Sequence, residues 1–262
     1  MQKVVVITGA SKGIGRATAE KFASEGYLVY DLSRSGKSDE ICTHIDCDVS
    51  DYEQIDGAIK EIYSQTSRID VAISNAGFGI SGSMEASKYE MIKSQIDVNF
   101  TGSAFFARAV LEYIRESKGR ILFMSSMAAV IPIPFQTLYS ATKSAIMAMT
   151  MALDNELRGS GARAIALLPG DLATNFTASR LKADIEPDFY KERVSRSVGK
   201  MESDEMGGKQ PDYIANRLYR LATSRNPKVI GSLGPLYRFG AFAVKVAPVR
   251  FANWVIWKMY AK

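Results

Sequence analysis

Histidine and cysteine are scarce in this chain of 262 residues, which has one histidine, His44, and two cysteines, Cys42 and Cys47. That rules out a disulfide framework. A zinc site is also unsupported: Cys-x-His-x-x-Cys has no evident fourth ligand, and two cysteines an odd number of positions apart on a strand face opposite sides. Two free thiols in a reducing cytoplasm are expected, and no metal. Long apolar runs are missing too. The longest uncharged stretch, Ile121 to Thr142, is interrupted by Pro132 and Pro134, and reads as a buried strand, a loop and a helix start, not a membrane span. Met1-Gln2-Lys3 runs straight into an apolar strand with no signal-peptide pattern, so the cytoplasm is the expected location. Acidic residues are absent from Tyr213 to Lys262, where there are nine Lys or Arg. No nucleic-acid motif accompanies that charge, and nucleic acid is not an expected partner.

The remaining composition is that of an ordinary globular protein, 47% hydrophobic and 23% charged, long enough for one large α/β domain spanning 1–262. Strand and helix signals alternate, as in βαβ units around a parallel sheet. The expected strands are Val4–Ile7, Leu28–Leu32, Ile41–Ile45, Ile69–Ser74, Arg120–Met124, Arg163–Leu168 and a short Lys228–Ile230. Expected helices cover Ile14–Glu25, Tyr52–Gln65, Tyr89–Ser117 with a break near Asn99, Leu138–Arg158 and Pro211–Ala222. Residues 175–211 are polar with scattered apolar positions, and read as a substrate lid with short helices. Residues 235–262 form an amphipathic tail.

Two motifs carry the chemistry. Thr8-Gly9-Ala10-Ser11-Lys12-Gly13-Ile14-Gly15 follows a strand and opens a helix, so its glycines let the backbone approach a diphosphate at the helix N-terminus. Tyr139 and Lys143, four residues apart, share one helix face. A free phenol has a pKa of about 10, and a neighbouring ammonium is expected to bring it toward neutrality. Proton exchange beside a dinucleotide means alcohol–carbonyl redox.

These motifs, with Asp48-Val49, Asn75-Ala76-Gly77, Asn99, Ser126 and Pro169-Gly170-x-x-x-Thr174 in order and spacing, resemble the short-chain dehydrogenase/reductase family over nearly the whole chain. Ser74 stands where an asparagine is common. The resemblance implies a doubly wound Rossmann domain with a mostly parallel seven-stranded sheet and helices on both faces. It implies that Tyr139 exchanges the proton with the substrate oxygen, Ser126 orients that oxygen, Lys143 tunes the phenol and contacts the nicotinamide ribose, and Asn99 holds a water linking Lys143 to solvent. Ser125 competes with Ser126, but spacing to Tyr139 favours the latter. Gly9, Ser11, Lys12, Gly13, Ile14, Gly15, Asn75, Ala76, Gly77, Pro169, Gly170 and Thr174, with Tyr139 and Lys143, are expected to line the cofactor. Asp48 is expected at the adenine, with Val49 against the ring. A homodimer or homotetramer is implied too.

Cofactor choice turns on the end of the second strand, where an acid selects NAD and a base selects NADP. The deciding position, about eighteen residues past the last glycine, is Ser33, followed by Arg34. With Lys12 as a second base, NADP is favoured, and Asp31 is the counter-argument. Phe78, Ala128, Ile131, Ile133 and Phe135 point to an apolar substrate. The Asn75–Gly82 pattern resembles the hydroxysteroid and retinol dehydrogenase branch, so a hydrophobic secondary alcohol or ketone (hydroxysteroid, bile acid or retinoid) is expected. The alternatives are an acyl-thioester 3-ketoreductase and a non-catalytic nucleotide-binding regulator. The cations Arg238, Lys245, Arg250, Lys258 and Lys262 are spread along the tail. Packing over the cleft or a subunit interface is therefore preferred to peripheral membrane contact.

Overall fold

A computed structural model describes residues 1–170, 180–182 and 185–262. In chain order the elements are β1 (Val4–Thr8), α1 (Gly13–Ser24), β2 (Leu28–Ser33), β3 (Thr43–Asp46), α2 (Tyr52–Thr66), β4 (Val71–Ser74), β5 (Ile80–Ser81) and α3 (Tyr89–Ile96). A π-helical stretch, Asp97–Thr101, leads into α4 (Gly102–Glu116). Then follow β6 (Arg120–Met124), α5 (Thr137–Glu156), β7 (Arg163–Leu168), β8 (Leu181–Lys182), α6 (Asp188–Met206), α7 (Pro211–Thr223), β9 (Ile230–Ser232), α8 (Pro235–Val246) and α9 (Val249–Tyr260).

Seven strands form one sheet in the order β3-β2-β1-β4-β6-β7-β9, every neighbouring pair parallel. The doubly wound, seven-stranded architecture is as the sequence led us to expect. Strand alternation builds its two cores. Val4 and Val6 of β1 face Ile55, Ile59, Phe106 and Ile146 of α2, α4 and α5, whereas Val5 and Ile7 face Phe22, Ile214 and Leu218 of α1 and α7. A sheet buried on both faces needs continuous apolar strands, which is why Val4–Ile7 shows no polar alternation. Cys42 and Cys47 are free thiols buried in the two different cores. Among the described residues no acidic, Cys or His cluster could hold a metal, and no helix is long and apolar enough to cross a membrane.

Strand order reverses between β1 and β4, which places a crevice outside their carboxyl ends, where open α/β sheets bind ligands. The anticipated break near Asn99 is the π-helical stretch, which lets Asn99 turn wholly inward. Two regions differ from expectation. Among the described residues of 175–211, the expected lid, α6 is a helix of 19 residues where short helices were expected. The tail is two helices separated at Ala247-Pro248, both extended. Proline there lacks the N–H that a continuous helix would use and pushes the residue before it out of the helical region.

Candidate active site

The glycine turn is built for close backbone approach. Gly9 and Gly13 have φ of 69° and 59°, and a Cβ on Gly15 would lie 2.1 Å from the Gly9 carbonyl oxygen. Asp51 caps α2 by accepting from the backbone N–H groups of Glu53 and Gln54, but α1 has no side-chain cap and no acid in its first turn. The α1 N-terminus therefore presents backbone donors and a positive dipole end to the crevice, beside exposed Lys12 and Gly13. A dinucleotide diphosphate fits that cradle.

Thr8 Oγ1 accepts from the backbone N–H groups of both Asn75 and Ala76, at 2.9 and 3.0 Å. Asn75 Nδ2 donates back to the carbonyls of Thr8 and Gly9. This exchange sutures the ends of β1 and β4 at the switch point. Thr8 was quoted in the motif but not singled out as a site residue. Ile14 packs on the α1-side core, and Val49 is buried against Gly102, where a Cβ would come within 2.7 Å of the Val49 carbonyl. Asp48 Oδ1 accepts from Ser50 N and Oγ, and its Oδ2 lies 4.0 Å from the exposed Arg34 guanidinium.

Asp31 is occupied. It is 1% exposed, accepts from Ala10 N at 2.6 Å and from Ser33 Oγ at 2.8 Å, and lies 3.1 Å from His44 Nδ1. It braces the glycine turn from below, and both carboxylate oxygens are committed. Arg34, with its side chain 74% exposed, is the charge at the end of β2 that faces outward.

At the carboxyl ends of β4 and β6, four expected residues converge. Ser126 hydrogen-bonds the Tyr139 hydroxyl and also accepts from Ala128 N at 3.1 Å, heading a short 3₁₀ turn. Ser125 Oγ instead donates to the Lys143 carbonyl at 2.8 Å, fixing α5 to β6. Lys143 Nζ donates to the Met124 carbonyl at 2.7 Å and lies 5.6 Å from the centre of the Tyr139 ring. Asn99 Oδ1 accepts from Phe78 N and its Nδ2 donates to Phe78 O, both at 2.9 Å, so this side chain clamps the loop after β4. A Cβ on Gly77 would sit 3.1 Å from Asn99 Oδ1 and 3.6 Å from Lys143 Nζ, so the backbone passes close to both side chains.

The electrostatics depart from expectation. Burial pushes the Tyr139 hydroxyl up to about 12, against the Ser126 hydrogen bond and the charge of Arg180, with Glu205 adding an upward push. Burial pulls Lys143 down to about 8. Desolvation is the first cause for each, and Nζ is turned to the Met124 carbonyl. Arg180, almost fully buried and paired to Glu205 of α6 at 2.6 Å, lowers the Tyr139 pKa but does not offset burial. Sequence reading did not find this pair, whose members are 25 positions apart with no local signal.

The tail and α6 cover this edge of the sheet. Tyr237 lies against Gly170, where a Cβ would meet its ring at 2.0 Å. Ala241 and Tyr237 pack near Met127, Val130 and Ile131, while Phe135 and Ile133 pack with Val194, Val198 and Met201 of α6. Met127 N donates to the Pro169 carbonyl, joining β7 to the Ser126 loop. Thr174 and residues 175–179, 183 and 184 of the lid lie outside the described residues.

A family model described as short chain dehydrogenase matches residues 3–184. The chain belongs to this family. Among curated relatives, 3-ketodihydrosphingosine reductase of Bacteroides thetaiotaomicron is 32% identical over 239 residues, covering 89% of this chain and 88% of that protein. A short-chain dehydrogenase from Streptomyces avermitilis superposes with a TM-score of 0.83 at 24% identity, covering 98% of this chain and 96% of that one, which supports the fold. An alcohol dehydrogenase from the archaeon Thermococcus sibiricus, solved with 5-hydroxy-NADP, gives a TM-score of 0.70 at 25% identity, covering 88% and 95%. This short-chain dehydrogenase is thus an oxidoreductase acting on CH–OH groups, with a fold whose relatives bind NAD(P)(H).

Proposed function

We propose that the protein uses NADP(H) to interconvert a hydrophobic secondary alcohol and its ketone, with Tyr139 as the acid/base. The observation that carries this reading is the convergence of Ser126, Tyr139 and Lys143 at the carboxyl edge of the sheet, the edge that also carries the glycine turn. When bound, the cofactor supplies or accepts the hydride. Backbone donors of the glycine turn and α1 would hold its diphosphate, and Lys143 would be the cation for its ribose. In the reductive direction Ser126 orients the ketone oxygen and the Tyr139 hydroxyl delivers a proton to it. At neutral pH the Tyr139 hydroxyl holds its proton.

NADP over NAD is supported by the commitment of Asp31 to Ala10 and Ser33, and by Arg34 and Lys12 as outward charges. The apolar surroundings of Ile131, Ile133 and Phe135 favour a hydrophobic substrate over a sugar or charged metabolite. Within the class of steroids, bile acids, retinoids and long-chain ketones, the relative from Bacteroides weights the choice toward the long-chain ketone.

The test offers purified protein long-chain 3-ketones, 3-ketosteroids, retinal and an acetoacetyl thioester, each with NADPH and with NADH. Turnover should appear with NADPH on the apolar ketones. Tyr139→Phe should lower kcat by at least about a thousandfold while NADPH binding, followed by fluorescence titration, is kept. Turnover confined to the acetoacetyl thioester, or none on the apolar set, overturns the substrate class.

A further inference from the structure

We infer that α8 and α9 form a monotopic docking surface for a bilayer carrying anionic headgroups. Of the large apolar side chains exposed among the described residues, eight of seventeen fall within these two helices and the turn joining them. They are Phe239, Phe242, Val246, Val249, Phe251, Trp254, Trp257 and Met259. Such concentration marks a contact surface, since exposed apolar residues on a monomer are ordinarily scattered.

The faces are orderly. On α8, Phe239, Phe242 and Val246 step by three and four residues and point outward, while Tyr237 and Ala241 point inward to the core around Met127 and Leu168. On α9, Phe251, Trp254 and Trp257 are exposed, while Ala252 and Ile256 are buried and Tyr260 and Ala261 pack with α6. Evenly spread cations leave no clean apolar face on one continuous helix. The break at Pro248 resets the helical phase, and each half then presents its own.

Charge selects the occupant. Lys245, Arg250, Lys258 and Lys262 are exposed around these aromatics, and no acidic residue occurs after Glu205 except Asp212. Lys258 Nζ sits 4.2 Å over the Trp254 ring, and Phe251 stacks on Trp254 with centroids 6.1 Å apart. Indole rings flanked by lysine stems suit the headgroup level of a membrane, where one end of the side chain is apolar and the other wet. A second copy of this chain fits poorly, because a two-fold contact would set this cationic surface against itself. Each helix has 12 residues, about 18 Å of length, so both lie in the interface and do not span it. The inference does not depend on the reaction, and its test reads no turnover.

Both tryptophans of the chain lie in α9, so tryptophan emission excited beyond the tyrosine band reports on this surface in the unmodified protein. Vesicles of phosphatidylcholine with phosphatidylglycerol should carry the protein upward in flotation, shift its emission to the blue, and quench it when the acyl chains are brominated. Phosphatidylcholine alone should bind far less. Combining Lys245→Gln, Arg250→Gln and Lys258→Gln should weaken partitioning on the order of 100-fold, and Phe242→Ser with Trp254→Ser at least about tenfold. The charge variant alters exposed side chains only, and circular dichroism checks its fold. Wild-type protein that stays unbound and unquenched with both vesicle types overturns the inference. So does equal flotation of wild type and both variants. A dimer that Phe242→Ser with Trp254→Ser dissociates, without vesicle binding, assigns the surface to a second copy and overturns it too.

Discussion

Asp31 Oδ1 accepts the Ala10 backbone N–H at 2.6 Å, tying the end of β2 to the middle of the glycine turn. With its second oxygen on Ser33 Oγ, this carboxylate is part of the scaffold under the cofactor cradle. Neither oxygen is placed to serve a ribose without giving up a buried donor, a loss worth about 1–3 kcal/mol.

Cofactor preference should therefore depend on Arg34 and not on Asp31. Arg34→Ala should raise the Kd for NADPH about tenfold and leave that for NADH within about twofold, since only the 2′-phosphate needs the guanidinium. Asp31→Ala should cost about 2–3 kcal/mol of stability, with no change in the NADPH-to-NADH affinity ratio. Titration of both cofactors with the two variants decides it. A ratio that moves with Asp31 and not Arg34 would reverse the assignment.

The ion pair above the phenol makes a second prediction. Arg180 lowers and Glu205 raises the Tyr139 pKa, so Glu205→Gln removes an upward push and leaves the guanidinium acting alone. Alcohol oxidation needs Tyr139 as base, and its kcat/KM rises as the phenol ionises. The profile should move to lower pH, with roughly two- to fivefold more activity on its rising limb. Stability should drop by up to about 3 kcal/mol, because Arg180 loses its buried partner. A drop in stability with an unmoved profile would make the pair structural only.

Much of this arrangement was legible beforehand, for identifiable reasons. Arg120–Met124 and Arg163–Leu168 were read to the residue because buried parallel strands bounded by charged or turn residues leave continuous apolar runs. The approach of Ser126, Tyr139 and Lys143 to one another was legible because it follows from local spacing on α5 and from the end of β6. The pair Arg180–Glu205 was not, since only α6 folding back over the sheet brings the two together. α6 itself was read as short helices because its sequence, with Gly199 inside and charges throughout, owes its helicity to packing on Phe135. The partner of the Lys143 ammonium was not legible for a related reason. Residue spacing places an ammonium one turn away, but not the carbonyl of Met124 that captures it.

That captured ammonium carries a stability penalty with a defined pH dependence. Burial lowers Lys143 from 10.5 to about 8, so between those values the unfolded chain holds a proton that the folded chain has released. Stability then rises with pH across this window, and below about 8 the folded state bears the full cost of a buried charge. Lys143→Met fills the same space without charge. At pH 7 it should stabilise the protein free of cofactor by about 1–2 kcal/mol, after the lost bond to the Met124 carbonyl is discounted. The advantage should shrink as pH rises from 8 toward 10.5, while catalytic turnover is nearly abolished at every pH. Urea denaturation of both proteins along a pH series measures this. A constant difference across the series would show that the gain comes from packing and that Lys143 is not held in a depressed state.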